Sequence, residues 1–254
     1  MPIRTYGNTM NFGFDWSMTP IVKKLLIANV AAFVLMTIAQ AAGLGMLVRS
    51  YWMLTPFAVT RQFAVWQLVT YMFLHGGFWH ILFNLFALWM FGSEIERTWG
   101  SKKFLRYYFL TGIGAGITVV LFGPSSMIPT LGASGAIYGI LLAYGVLFPN
   151  RVIFVPILFF FFVPIPAKYL VMILGGFAFL SALSSPGDFV SHTAHLGGMA
   201  FGLLYLKGTQ RSSKSYFDFR NLYYRWKRQR LQRKFEVYMS KRNRDDKPRG
   251  PWVN

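Results

Sequence analysis

The chain has no cysteine. That excludes disulfides, thiol nucleophiles and cysteine-bound metals. Acids are nearly as scarce. Between Pro20 and Gly187 the only ones are Glu94 and Glu96, so an aspartyl mechanism lacks its pair of intramembrane aspartates. Charged residues make up 13% of the chain, against roughly a quarter in a soluble domain. In their place stand 54% hydrophobic and 19% aromatic residues. Long apolar runs nearly free of charge read as membrane spans.

Hydropathy and breaker residues predict six spans in an all-α, polytopic bundle. They cover about 24–44, 78–94, 104–122, 134–148, 167–183 and 194–205. The residues before the first span are polar and lack the form of a cleaved signal peptide. Residues 45–69 are too broken by proline and polar groups to cross, and Trp52, Phe57 and Trp66 suit an interfacial loop. The fourth span is short, about 16 residues or roughly 24 Å, against a hydrocarbon core of about 30 Å. A short helix starting below the surface leaves room for a water-filled hollow above Ser134. Residues 150–165 are very apolar but carry Pro156 and Pro164, and read as a loop or re-entrant piece.

The net charge is +18, and more than half of the lysines and arginines lie from Lys207 onward. With six spans, Lys23 and Lys24, the group Arg97, Lys102, Lys103 and Arg106, the pair Arg151 and Lys168, and the tail all fall on one side. Only Arg49 and Arg61 fall on the other. The positive-inside rule then puts both termini in the cytoplasm and Ser134 toward the outer side.

Polar groups within spans are costly and are candidates for function. All four histidines, His75, His80, His192 and His195, lie in the apolar part. His80 and Asn84 are spaced i, i+4 and share a helix face. With Ser134 and His195 they reach a similar depth from three spans. Each has a plainer explanation. Ser134 sits beside Gly132, Gly135 and Gly139, and small residues let helices pack closely. His195 precedes the pair Gly198/Gly202. His80 and Asn84 could cross-link helices, and His75 and His192 could face interfacial water. The small-residue stripes of spans four and six nevertheless begin beside a serine and a histidine, so packing on them would bring the two together.

A serine becomes nucleophilic when a neighbouring histidine takes its proton. The resulting oxyanion needs donors. His80, Asn84 and the Ser134 backbone N–H at a helix start could supply them. No acid is placed to complete a triad, so the pattern is a dyad. His192 and His195 form HTAH without HExxH or a third ligand nearby, so neither a metal nor another cofactor is implied. Spacing alone does not choose between the two. His195 lies one turn deeper and one turn before Gly198, whereas His192 follows a polar loop and is expected outside the helix or in water.

The stretches WQLVTYMFLHGGFWHILFN, ERTWGSKKFLRYY, GASGAIYG and HTAHLGGMAFG together resemble the rhomboid family of intramembrane serine proteases, over about residues 21–207. The resemblance implies Ser134 as nucleophile, His195 as general base, and His80 and Asn84 on the oxyanion side. Tyr138 would pack on the histidine, and His75 would be structural. It also implies a movable fifth span. Where the family often has Trp-Arg, this chain has Trp66-Gln67. Expected substrates are transmembrane proteins, in a bacterial inner membrane. The alternative is an inactive relative that binds or escorts membrane clients. A transporter would need charges along a path through the spans, and none lies below the outer third.

Three regions follow: 1–20, an N-terminal segment; 21–207, the six-span core; and 208–254, a basic tail. In the tail, aromatic and basic residues interleave. Its tether to a membrane favours anionic lipid headgroups over nucleic acid, with a solvated tail lacking any partner as the plain alternative.

Overall fold

The computed structural model describes residues 17–157, 161–184 and 189–210, with 227, 228 and 230–232. The chain divides into two units, 1–206 and 207–254. The expected tail helix, about 215–239, lies almost wholly outside the described residues.

Helix α1 is Pro20–Ala41. It starts at Pro20 rather than Lys24, because proline suits the first helical turn, where its missing N–H leaves no bond unmade. Three short helices follow, α2 (Gly45–Trp52), α3 (Pro56–Arg61) and α4 (Gln67–Thr70). They occupy the segment expected not to cross. The next rod runs unbroken from Phe78 to Trp99. It comprises α5 (Phe78–Ala87), a π-helical turn over Leu88–Gly92, and α6 (Ser93–Trp99). Gly100, at φ +79°, then reverses the chain into α7, Ser101–Phe122. Helix α8 is Ser134–Leu147, α9 is Ala167–Ser184 and α10 is Phe189–Gln210.

Three helices are long and apolar enough to cross a membrane: α1, the Phe78–Trp99 rod and α7. Two shorter apolar helices, Ser134–Leu147 and Ala167–Leu183, accompany them. Apolar residues cover much of the exterior, including Ile27, Val34, Leu35 and Ile38 of α1 and Phe78, Trp79 and Phe83 of α5. This is an integral membrane protein, mostly helical.

The all-α expectation is corrected by one hairpin, β1 (Val152–Ile157) paired antiparallel with β2 (Phe161–Pro166). It occupies the stretch expected to be a loop or re-entrant piece. Valine, isoleucine and phenylalanine favour strands, and the prolines fall where the ladder asks for no donor. Helix α10 is also longer than the span expected there, 189–210 rather than 194–205, so His192 lies within it and is half-buried.

The core closes around α7. Its run Gly112–Gly116 lets neighbours approach at backbone distance. A Cβ on Gly114 would lie 2.2 Å from Phe201, and one on Gly112 would lie 2.1 Å from Met72. The expectation that α8 and α10 pack stripe on stripe holds at one point only. A Cβ on Gly198 would sit 1.9 Å from the Gly135 carbonyl oxygen, whereas Gly139 meets Thr111 and Gly202 meets Tyr107, both on α7. Helix α7 is therefore a shared wall. It separates the two stripes over much of their length and leaves them touching near Ser134.

At the end of the bundle that carries Arg97, Lys102 and Arg151, a single carboxylate joins two helix starts. Glu96 is buried. It accepts bonds from the Ile21 N–H (3.0 Å), the Val22 N–H (2.9 Å), the Thr19 hydroxyl and the Ser101 hydroxyl (2.6 Å). An acid beside unpaired helix N–H groups satisfies both bonding and dipole.

Candidate active site

At the opposite end of the bundle, Ser134 opens α8. The chain reaches it through Gly132, whose φ of +124° a side chain would rarely adopt. The Gly132 N–H donates to the Tyr71 carbonyl at 2.9 Å, fixing the approach to α8 against the segment before α5. The surrounding 45–70 insert is held by side chains bonded to backbone. Gln67 is fully buried. Its Oε1 accepts from the Thr55 N–H at 2.9 Å and its Nε2 donates to the Ser50 carbonyl at 2.8 Å. A neutral amide thus ties the loop at the position where the resembled family often has arginine.

Ser134 Oγ lies 2.9 Å from His195 Nε2. Both residues are half-buried. Tyr138, one turn along α8, stacks on the imidazole with ring centroids 4.0 Å apart and planes 6° from parallel. If Nε2 accepts from the hydroxyl, the neutral ring carries its proton on Nδ1. That nitrogen is buried and has no hydrogen-bond partner among the described residues. The ring is positioned by an aromatic face rather than by a carboxylate.

His80 completes the grouping. Its Nδ1 accepts from the Gly76 N–H at 3.3 Å. The neutral tautomer then has its proton on Nε2. Space around Gly132 shows where that nitrogen sits. A Cβ added to Gly132 would lie 2.8 Å from His80 Nε2 and 3.8 Å from Ser134 Oγ. The missing side chain of Gly132 therefore leaves a gap between an imidazole donor and the serine hydroxyl.

Three further candidate residues lie around this grouping. Asn84 is buried and donates from Nδ2 to the His80 carbonyl at 2.7 Å, a bond within its own helix. It is beneath His80 rather than shown against Ser134. His75 is fully buried, its ring edge-on to His80 at 5.1 Å. Burial, followed by the proximity of His80, pushes its imidazole down to about 4. His192 is edge-on to His195 at 6.1 Å and to Phe177 at 6.3 Å, beside the dyad rather than in it. No group of three or more histidines, aspartates and glutamates is assembled to hold a metal among the described residues. Sequence reasoning overlooked the α7 glycines. The run GIGAG is their signal, and it seats Phe201 of α10 against Gly114 and Met72 against Gly112.

The Rhomboid domain family matches residues 62–211, more than half of the chain. The chain belongs to the rhomboid family. It is 31% identical over 191 residues to the mitochondrial Rhomboid protein 1 of Saccharomyces cerevisiae, covering 73% of this chain and 52% of that protein. It is 36% identical over 139 residues to the Rhomboid protease GluP of Bacillus subtilis, covering 54% and 24% respectively. With the Rhomboid protease GlpG of Yersinia pestis it shares 26% identity over 185 residues, covering 73% and 61%. The matches thus span less than two thirds of each of these relatives. Within this rhomboid chain, Ser134, Tyr138 and His195 all lie inside the matched segment, as do His75, His80 and Asn84.

Proposed function

We propose that this chain is an intramembrane serine endopeptidase that hydrolyses peptide bonds in or near the transmembrane helices of other membrane proteins. The single observation that carries the reading is the 2.9 Å approach of His195 Nε2 to Ser134 Oγ. Membership of the rhomboid family and the protease names of its relatives support it. The alternative, an inactive client-binding relative, is disfavoured because both dyad residues are present and within hydrogen-bond reach.

In this mechanism His195 takes the Ser134 proton as the hydroxyl oxygen attacks the scissile carbonyl. The substrate oxygen becomes an oxyanion. It is met by the Ser134 backbone N–H at the start of α8 and by His80 Nε2–H across the gap at Gly132. Asn84, one turn along α5 from His80, is a further donor on the oxyanion side. Protonated His195 then gives its proton to the leaving amine, and the acyl-enzyme is hydrolysed by water activated by the same imidazole. Tyr138 keeps the ring plane fixed through both steps.

The full topology is part of the proposal. Six spans comprise the core at 21–207, with both termini cytoplasmic, as the distribution of lysine and arginine favours. The protein resides in a bacterial inner membrane, and the 208–254 tail contacts anionic headgroups. Purified protein reconstituted with a single-span reporter should cleave it, and Ser134→Ala and His195→Ala should each leave the reporter intact. Cleavage surviving in either variant would refute the dyad.

A further inference from the structure

The hairpin β1–β2 carries no charge from Val152 to Pro166. Its base lies at the basic end of the bundle. Arg151 Nη1 pairs with Glu94 at 2.6 Å, and Lys168 Nζ donates to Asn150 Oδ1 at 3.0 Å. One face is partly occupied, with Val163 on it 37% exposed. Ile153 is buried in the core, and Val155 packs against it. The other face is apolar and bare. Val152 is 45% exposed and Phe154 61%, and Pro164, directly across from Phe154, is exposed as well.

The prolines restrict what can pair with the hairpin's edges. In an antiparallel ladder, opposed residues alternate between pairs that exchange both backbone bonds and pairs whose N–H and C=O groups point outward. Proline cannot donate. The register Val152–Pro166, Phe154–Pro164 and Pro156–Phe162 therefore consists of outward pairs, and the three pairs between them carry the bonds. Three of those six outward positions, Pro156, Pro164 and Pro166, have no N–H to satisfy. On β2 only Phe162 retains an outward donor.

A second copy adding a strand to β2 would find one outward donor, so pairing at that edge is disfavoured, whereas β1 keeps the Val152 and Phe154 N–H groups. The same loss of donors lowers the cost of lying where acceptors are scarce. The outward carbonyls remain, and interfacial water and ammonium headgroups provide donors for them. The hairpin joins the apolar helices α8 and α9, and Arg151 and Lys168 stand at its base.

We propose that this hairpin is a lipid-binding wedge, its Val152, Phe154 and Pro164 face seated against acyl chains of the leaflet at the basic end. It anchors the connection between α8 and α9 in that leaflet. The inference rests on the protein being embedded in a membrane and not on its being a protease.

The absence of native cysteine makes a direct test available. A nitroxide on Phe154→Cys, in full-length protein in vesicles of phosphatidylethanolamine and phosphatidylglycerol, reports collisions with oxygen and with a water-soluble nickel complex. Oxygen should dominate severalfold at residue 154, whereas nickel should dominate at a Lys102→Cys control. Val152→Cys provides a second reporter on the same face if the first variant misfolds. Nickel access at 152 or 154 matching that at 102 would overturn the proposal by placing the face in water. Low access to both reagents would overturn it by placing the face under protein. Fluorophosphonate labelling of Ser134 in the same samples reports the protease reading separately.

Discussion

Glu96 at one end of the bundle and the imidazoles at the other are satisfied in opposite ways. At the basic end the Glu96 carboxylate is surrounded by donors from α1 and α7. At the serine end the imidazoles retain spare capacity. His195 Nδ1 and His192 Nδ1 are buried without hydrogen-bond partners among the described residues, and a gap remains between His80 Nε2 and Ser134. A saturated carboxylate locks helices together and can do nothing else. An unsaturated imidazole weakens the fold locally and stays available to a substrate or water. On the proposed function, the contrast separates a group that holds the molecule from groups that act.

That separation can be broken by experiment. The largest effect is expected at the dyad. Ser134→Ala should abolish fluorophosphonate labelling and reporter cleavage while thermal unfolding in detergent stays near wild type. A Ser134→Ala protein that unfolded early would assign the serine to structure and erase the contrast.

Glu96→Ala should do the reverse. It leaves the Ile21 and Val22 N–H groups without their acceptor, at about 1–3 kcal/mol for each buried group left unpaired. Thermal unfolding should shift down markedly, with residual activity per folded molecule close to normal. Unchanged stability would show that water replaces the carboxylate.

His80→Ala sharpens the contrast at the other end. Loss of one oxyanion donor should lower kcat roughly 10- to 1000-fold with little change in KM. A raised KM with kcat intact would move His80 from the oxyanion to substrate binding.

His75 lies between the two classes, buried beside His80. Its folded pKa is pushed down to about 4, against about 6.5 for an unfolded histidine. Between those values the unfolded chain binds the proton and the folded chain does not, so stability should fall as pH drops from about 6.5 toward 4. His75→Phe keeps a ring edge-on to His80 and should flatten that part of the stability–pH curve. The same acid sensitivity in the variant would mean another group causes it. Smallest of all, truncation after Gln210 should leave activity in detergent nearly unchanged. Complete loss in a folded protein would bring the tail into the site.

Much of this was legible in the sequence because hydropathy is a one-dimensional signal. The start of α8 at Ser134 and the breaks across 45–69 follow from glycine, proline and charge alone. The small-residue stripes pointed to the meeting of Gly135 with Gly198, and Ser134 and His195 lie 2.9 Å apart beside it. The hairpin was not recognised, since a short apolar run does not distinguish strand from loop by periodicity. Its sign was subtler: Pro164 and Pro166 fall two apart, opposite Phe154 and Val152. The role of α7 was missed for a different reason. Paired GxxxG stripes on α8 and α10 suggested two partners, whereas close packing involved a third helix whose own run, Gly112–Gly116, makes room for both. Nor could spacing tell that Asn84 bonds backward to His80 rather than outward.

The π turn at Leu88–Gly92 has a consequence of phase. A π turn takes in one residue more than an α turn, and each residue advances a helix by about 100°. The same rod presents His80 at one end and Glu96 at the other, each to different partners. Removing one residue from that turn would give a smoother helix of almost the same length and hydropathy. It would also swing Glu96 by about 100° relative to His80. The extra residue works as a rotational offset, by which one straight rod meets the geometric demands of two unrelated neighbourhoods.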